Sequence, residues 1–178
     1  PCLPATVTDL CQNSAYAHSR LPIMQSTEHK APLDSILKVG ETLPADIYAA
    51  NGQTLQIDSG VTIQGYVTLS QNWSSSTLIN AGVIEANVPS QWISIGLNSF
   101  INQGTVKVSG GLLALGGNWS NAGQIAVTSG TLSLRGVFSL ADITGAGRLS
   151  RTDGVVNLET ELNLGGGSLD IGAGDRKS

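Results

Sequence analysis

The sequence predicts an all-β fold in which short parallel strands coil into a solenoid. Residues 102–108 recur nineteen positions later as residues 121–127, and residues 80–86 are an earlier copy. A Gly-x-Leu-x-Leu motif keeps the same step, at residues 111–115 and again at residues 130–134. A unit of about twenty residues with two short alternating apolar runs is typical of one rung of a solenoid. Because the repeat is direct, each strand is expected to pair in parallel with its own copy.

Residues 1–34 are predicted to form an irregular N-terminal arm or cap. They contain both cysteines, both histidines and four of the six prolines. Cys2 and Cys11 enclose eight residues, and in an exported protein a local disulfide is expected, with two free thiols as the alternative. His18 and His29 do not show zinc-site spacing, so neither a metal site nor a cofactor is predicted.

Residues 35–178 are predicted to form the β-solenoid. Residues 35–39 are an expected strand, and apolar and polar residues alternate regularly from about residue 52 onward. Alternation places the apolar side chains on one face, at Leu55, Ile57, Val61, Ile63, Val67 and Leu69. The pattern predicts rungs of roughly 19–24 residues, with about six rungs in the body.

Two interior columns of side chains follow from the repeat spacing. The first is predicted to contain Ile84, Ala86, Val106, Val108, Ile125 and Val127. The second is predicted to contain Ile93, Ile95, Leu113, Leu115, Leu132, Leu134, Val156 and Leu158. The step from Leu132 to Val156 is twenty-four residues, so a longer turn is expected between them. Leu169 and Ile171 are expected to begin one more rung and to form an open end.

The repeated Asn-x-Gly units are interpreted as corners of the solenoid. Asn80, Asn102 and Asn121 are expected to stack, with their amides hydrogen-bonded to one another and to the turn backbone. Each is followed two positions later by a glycine that allows a sharp corner and is expected to adopt positive φ: Gly82, Gly104 and Gly123.

Aromatic residues share the phase of the repeat at Phe100, Trp119 and Phe138. This phase favours a core or corner role for the three tryptophans, Trp73, Trp92 and Trp119. The alternative is an exposed, sugar-stacking surface.

Residues 115–134 resemble the repeats of filamentous-haemagglutinin-like adhesins and of autotransporter passengers, bacterial surface proteins with Asn-x-Gly-x-Ile and Gly-x-Leu-x-Leu in this order. The resemblance covers residues 50–171 and is strongest at residues 98–138. It implies a right-handed parallel β-helix used as an extracellular stalk, adhesin or matrix element. Since those proteins are much longer, the chain is expected to be a piece of a larger protein or a small protein that builds length by association.

Composition and charge exclude some partners and favour an extracellular or cell-surface location. Only 12% of the residues are charged, against about 25% in typical soluble domains. The net charge is −4 and Lys and Arg are not clustered, so no nucleic-acid partner is predicted. No apolar stretch approaches the roughly 20 residues that a membrane-spanning helix needs.

No catalytic constellation is recognised, and the protein is predicted not to be an enzyme. Charge is concentrated only around residues 148–161, and we interpret this cluster as a solvated turn: Arg148, Arg151, Asp153, Glu159 and Glu161. The predicted function is structural, with copies associating end to end into an oligomer or filament and with the N-terminal arm acting as a latch. The alternative is an adhesin or glycan-binding segment of a larger surface protein.

Overall fold

The computed structural model describes residues 5–6, 35–39, 45–49, 52–71, 75–144, 148–162, 164 and 166–168, the first two ranges by backbone alone. The strands within these ranges form successive rungs. The first rung contains β1 (Ala5–Thr6), β2 (Ser35–Val39) and β3 (Ala45–Ala49). The second contains β4 (Thr54–Ile57), β5 (Val61–Gly65) and β6 (Val67–Gln71). The third contains β7 (Thr77–Asn80), β8 (Val83–Ala86) and β9 (Trp92–Ile95).

Two long strands dominate the C-terminal half. The fourth rung contains β10 (Ser99–Asn102) and β11 (Thr105–Leu115). The fifth contains β12 (Asn118–Asn121) and β13 (Gln124–Leu134). The last rung contains a 3-10 turn (Leu140–Asp142), β14 (Leu149–Arg151) and β15 (Val155–Leu158). The whole is a parallel β-solenoid of about five turns with rungs of about 22 residues, so the predicted fold class is confirmed.

Every strand pairing described is parallel, and the strands form three faces. The first sheet has the order β1-β4-β7-β10-β12. β2, β5, β8 and β14 belong to the second sheet, and β3, β6, β9 and β15 to the third. β11 and β13 belong to both the second and the third sheet, because the pairing between them shifts register near the middle of each strand. In β11, for example, Val106 pairs with Ile84 in the second sheet, while Leu113 pairs with Ile93 in the third.

The interior is filled by the alternating apolar residues that the sequence indicates. Both predicted columns are in register from rung to rung, and their members up to Leu134 are buried. The twenty-four-residue step from Leu132 to Val156 is also confirmed, and the longer connection contains the 3-10 turn. Two steps within the predicted solenoid exceed the predicted range, since Ser35 pairs with Val61 and Val67 pairs with Ile93, each twenty-six positions later.

Part of the predicted N-terminal arm joins the solenoid. Ala5 and Thr6 pair in parallel with Leu55 and Gln56, so β1 extends the first sheet beyond β4. Cys2 and Cys11 lie outside the described residues, as do Leu169 and Ile171. The right-handed coil remains a prediction from the resemblance.

Candidate functional site

The three corner asparagines form a continuous ladder inside the solenoid. Asn80 Nδ2 donates to Asn102 Oδ1 at 2.7 Å, and Asn102 Nδ2 donates to Asn121 Oδ1 at 2.8 Å. All three side chains are buried, at 0–2% exposure. Three strands of the first sheet, β7, β10 and β12, each end at one of these asparagines, so the amides occupy equivalent positions. The ladder satisfies polar groups that would otherwise be costly to bury.

The ladder also ties down the corner backbone. Asn80 Oδ1 accepts from the N–H of Gly82 at 3.2 Å, and Asn80 Nδ2 donates a second bond to the carbonyl oxygen of Thr105 at 3.2 Å. Asn102 Nδ2 donates to the Gln124 carbonyl oxygen at 3.3 Å, as Asn80 Nδ2 does to that of Thr105, and it also donates to the Gly104 carbonyl oxygen in its own turn at 3.4 Å. These contacts bond each amide both to its own turn and to the turn of the next rung, so the ladder positions the backbone where the first sheet meets the second.

Asp142 closes the ladder at its C-terminal end. Asn121 Nδ2 donates to the Asp142 carbonyl oxygen, and the Asn121 N–H donates to Asp142 Oδ1, both at 2.9 Å. The same carboxylate accepts from the hydroxyl and the N–H of Ser139. Burial alone raises the pKa of Asp142, but the hydrogen bonds from Ser139 and Asn121 outweigh it and hold the pKa below the ordinary value. Within the described residues, Val137 forms a parallel bridge with Asn118, and the 3-10 turn that carries Asp142 caps the other end of β12.

The corner glycines act differently from the prediction. The expected positive φ is wrong for Gly82, Gly104 and Gly123, since none is among the described residues with left-handed backbone. Close approach is the reason that glycine is needed. A Cβ at Gly104 would collide with the carbonyl oxygen of Gly82, and a Cβ at Gly123 would collide with that of Gly104. The glycines therefore let successive corners stack at the spacing of a parallel sheet.

A polar network around Glu85 lies on the outer face of the second sheet, and sequence reasoning missed it. Gln64, Glu85 and Lys107 are aligned on β5, β8 and β11. Glu85 accepts from Lys107 Nζ at 2.9 Å, from Ser109 Oγ at 2.8 Å and from Gln64 Nε2 at 2.9 Å. Burial raises the pKa of Glu85, but the hydrogen bonds from Lys107, Ser109 and Gln64 together bring the pKa below its usual value. The repeat spacing that aligns the apolar columns also aligns Gln64, Glu85 and Lys107, so the network could have been predicted from the sequence.

Trp92 lies on the outer face of the third sheet. It is 47% exposed, so a core role is wrong for this residue, whereas Trp119 is buried as predicted. The ring of Tyr66 packs edge-on against Trp92 with centroids 4.5 Å apart. Trp119 instead stacks on Phe138 at 4.2 Å and donates from Nε1 to the Arg135 carbonyl oxygen. Trp73 lies outside the described residues.

A shallow open depression of about 410 Å³ lies beside the Trp119–Phe138 stack. Among the described residues that line it, Asp142 carries the one carboxylate, which Ser139 and Asn121 already engage. Ser139 Oγ donates to Asp142 Oδ2 at 2.6 Å, and this bond stabilises the 3-10 turn.

The last rung exposes part of the interior. Leu158 pairs with Leu134 in the second column, yet it is 45% exposed. On the outer surface of this rung Arg135 Nε bonds Glu159 Oε2 at 2.7 Å, and hydrogen bonds from Ser133 and Arg135 lower the pKa of Glu159. In the predicted charge cluster, Arg151 Nη1 donates to the Gly154 carbonyl oxygen, and Asp153 Oδ1 accepts from the Gly154 N–H.

Within the described ranges, no group of three or more His, Cys, Asp or Glu side chains is placed to hold a metal ion. The helical structure in that same part of the chain is too short to span a membrane.

The fold and its corner ladder define a parallel β-solenoid protein. Comparison of the chain with protein-family models, curated proteins and solved structures finds no significant match. The resemblance of residues 50–171 to haemagglutinin-like and autotransporter repeats remains a prediction.

Proposed function

We propose that this protein is a non-enzymatic extracellular structural protein, a β-solenoid subunit that associates end to end with further copies of itself. The observation that carries this proposal is the open last rung. Leu158 continues the buried column of Leu115 and Leu134 in register but is 45% exposed. Val156, the other interior residue of β15, is only partly buried. An additional rung placed on β15 would remove both side chains from water, which favours association.

The strand edges support the same mode of association. Among the described strands, β14 and β15 pair only with β13, while β2 and β3 pair only with β5 and β6. Within the described residues, each end therefore has strand edges whose backbone N–H and C=O groups a further parallel strand can join. The two ends differ, so the contact is head to tail, and copies stacked along the solenoid axis generate an open filament.

The composition supports an extracellular, non-catalytic role. The chain has few charged residues, 12%, and 22 glycines. The described carboxylates with lowered pKa are bonded within the fold: Glu85 to Lys107, Asp142 to Ser139 and Glu159 to Arg135. Each of these acids thus has a structural explanation.

Negative-stain electron microscopy of the purified chain across a concentration series tests the proposal. We expect filaments whose axial repeat is about 29 Å or a multiple of it, since the six stacked strands of the second sheet and the contact with the next copy make six spacings of about 4.8 Å. Single short rods at every concentration would contradict the proposal.

A matched pair of variants locates the contact. Leu158→Lys places a charge on the open rung and is expected to abolish filaments, while Leu112→Lys places the same charge on a lateral face and is expected to leave them intact. Circular dichroism of both variants checks that the solenoid still forms. Filaments that persist in Leu158→Lys would show that the ends are not the contact.

A further inference from the structure

The outer face of the third sheet presents a graded surface over the third and fourth rungs. The outward positions of β9 and the residue after it are Trp92, Ser94 and Gly96, and those of the next rung are Leu112, Ala114 and Gly116. Side-chain size falls along each strand, from a bulky apolar residue to none. We call these six residues the Trp92 shelf. Trp92 and Leu112, 47% and 41% exposed, form a wall above a floor of small residues.

The Trp92 side chain of this wall is held in place by neighbouring side chains in the free protein. The Tyr66 ring contacts Trp92 at a centroid distance of 4.5 Å and an interplanar angle of 75°, an edge-on arrangement. Leu112 pairs with Trp92 in the neighbouring strand and lies about 4.8 Å along the axis. An exposed aromatic ring that is fixed in this way loses little conformational entropy when a ligand stacks on it.

The fold does not require glycine at position 96, on the edge of the shelf. A Cβ at Gly96 would meet nothing within 4 Å, whereas a Cβ at Gly116 would come within 3.2 Å of the Ile95 carbonyl oxygen, a tight contact. Gly96 also does not have positive φ. This contrasts with Gly104, whose Cβ would collide with the neighbouring rung. Glycine in a strand costs conformational entropy, so its presence here is explained by the open space that it leaves beside Trp92.

The charge of the shelf indicates what kind of partner fits it. None of its six residues is ionisable, and the rung below adds the outward hydroxyls of Thr68 and Ser70. The nearest described charges on this face adjoin the shelf: Asp46 pairs with Thr68, and Arg135 lies beside Gly116 and is paired with Glu159. A charged partner would find no counter-ion on the shelf, whereas an uncharged partner with hydroxyl groups and an apolar face matches it.

We propose that the Trp92 shelf binds a neutral polysaccharide chain. The C–H face of a pyranose ring stacks on the indole, whose π face carries partial negative charge, while Ser94 and Thr68 exchange hydrogen bonds with the sugar hydroxyls. The open edge at Gly96 and Gly116 leaves room for the chain to continue across the sheet. The site is lateral, so it is independent of end-to-end association, and either proposal can fail without the other.

Calorimetric titration of the full chain tests the site. The probes are hexamers of β-1,4-linked glucose, α-1,4-linked glucose and β-1,4-linked N-acetylglucosamine, with a hexamer of galacturonic acid as the anionic comparison. We expect at least one neutral hexamer to bind and the anionic hexamer to bind more weakly. Trp92→Ala is expected to weaken binding about tenfold, since stacking on an aromatic ring contributes on the order of 1 kcal/mol.

Two further variants separate the site from the fold. Gly96→Gln adds a side chain over the shelf where a Cβ has room, and it is expected to weaken binding as strongly as Trp92→Ala while the thermal midpoint stays the same. Tyr48→Ala removes an aromatic residue that is 45% exposed on the first rung, outside the shelf, and it is expected to leave the affinity within about twofold. Failure of all three neutral hexamers to bind, tighter binding of the anionic hexamer, or unchanged affinity in Trp92→Ala would each overturn the proposal.

Discussion

At the scale of single residues, the buried asparagines carry more of the specificity of this fold than their number suggests. An apolar side chain in a solenoid column can slide relative to its neighbour, whereas an amide ladder is satisfied in one register only. Asn102 is the central member, since it accepts from Asn80 and donates to Asn121. The ladder thereby aligns three rungs whose lengths differ, at twenty-two residues from Asn80 to Asn102 and nineteen from Asn102 to Asn121.

Substitution of Asn102 tests the ladder. Asn102→Ala removes the donor to Asn121 Oδ1, and a buried acceptor left without its partner costs about 1–3 kcal/mol. It also removes one of the two acceptors of Asn80 Nδ2, which keeps its bond to the Thr105 carbonyl oxygen. We expect a clear fall in the midpoint of urea denaturation. Asn118→Ala, at an exposed position of β12, is the matched control and should change the midpoint little. Equal effects of the two variants would show that the ladder does not contribute to stability.

Glu85 predicts a pH dependence of stability. Its folded pKa is lowered, so its carboxylate stabilises the folded state above the ordinary glutamate pKa of about 4.3. That contribution is lost as the pH falls through the lower, folded value. We expect the free energy of unfolding to fall less steeply between about pH 5 and about pH 3 in Glu85→Gln than in the wild-type chain.

The matched control for Glu85 is Glu161→Gln, which removes a carboxylate from an exposed position of the last rung. Urea denaturation at a series of pH values measures the slope for all three proteins. If the free energy of unfolding of Glu85→Gln depends on pH as steeply as that of the wild-type chain, the lowered pKa of Glu85 does not contribute to stability.

At the scale of elements, the corners decide how the strands stack. The alternating pattern specifies which side chains point inward, but the rungs can approach only if the corner backbones do not collide. Gly82, Gly104 and Gly123 occupy the corner between the first and second sheets, and each would clash with the rung below if it carried a Cβ. A different corner, between the second and third sheets, uses left-handed glycines at Gly130 and Gly154.

A pair of glycine substitutions separates close approach from conformational freedom. Gly104→Ala is expected to lower stability by about 1–3 kcal/mol, because its Cβ would overlap the Gly82 carbonyl oxygen. Gly96→Ala has open space and is expected to be neutral or to stabilise by up to about 1 kcal/mol. Thermal and urea denaturation measure both. A destabilised Gly96→Ala together with a tolerated Gly104→Ala would contradict this account of the corners.

At the scale of the whole molecule, the solenoid is a one-dimensional stack in which each rung contacts only its neighbours. Hydrogen-exchange protection is therefore expected to be highest in β10–β13, which have a rung on either side, and lower in β14 and β15. If copies associate end to end, protection of residues 149–158 should rise with protein concentration while that of the central rungs stays constant. Mass-spectrometric exchange at several concentrations measures this, and a concentration-independent profile would contradict association through the last rung.

Much of the architecture was accessible from the sequence because a solenoid is built from local repeats. The step of nineteen residues between residues 102–108 and 121–127 is the strand register itself, as Val106 pairs with Ile125. The same reasoning found the asparagine positions, since a polar residue that recurs in phase with an apolar column must stack on its copies. The sequence offers sugar stacking as an alternative role for Trp92, but it does not show that this side chain is exposed. Trp92 and Trp119 differ in whether the side chain points out of its sheet or into the core.

The parallel stacking, the interior columns and the corner positions follow from the sequence, because each of these depends on a period that can be counted along one chain. The contacts between rungs are known only from the folded molecule. In it, the corner glycines are needed for close approach and not for positive φ, Glu85 accepts from donors on the two neighbouring strands, and Leu158 is exposed on the last described rung. Those properties depend on distances between residues about 22 positions apart, which the pattern of side chains does not specify.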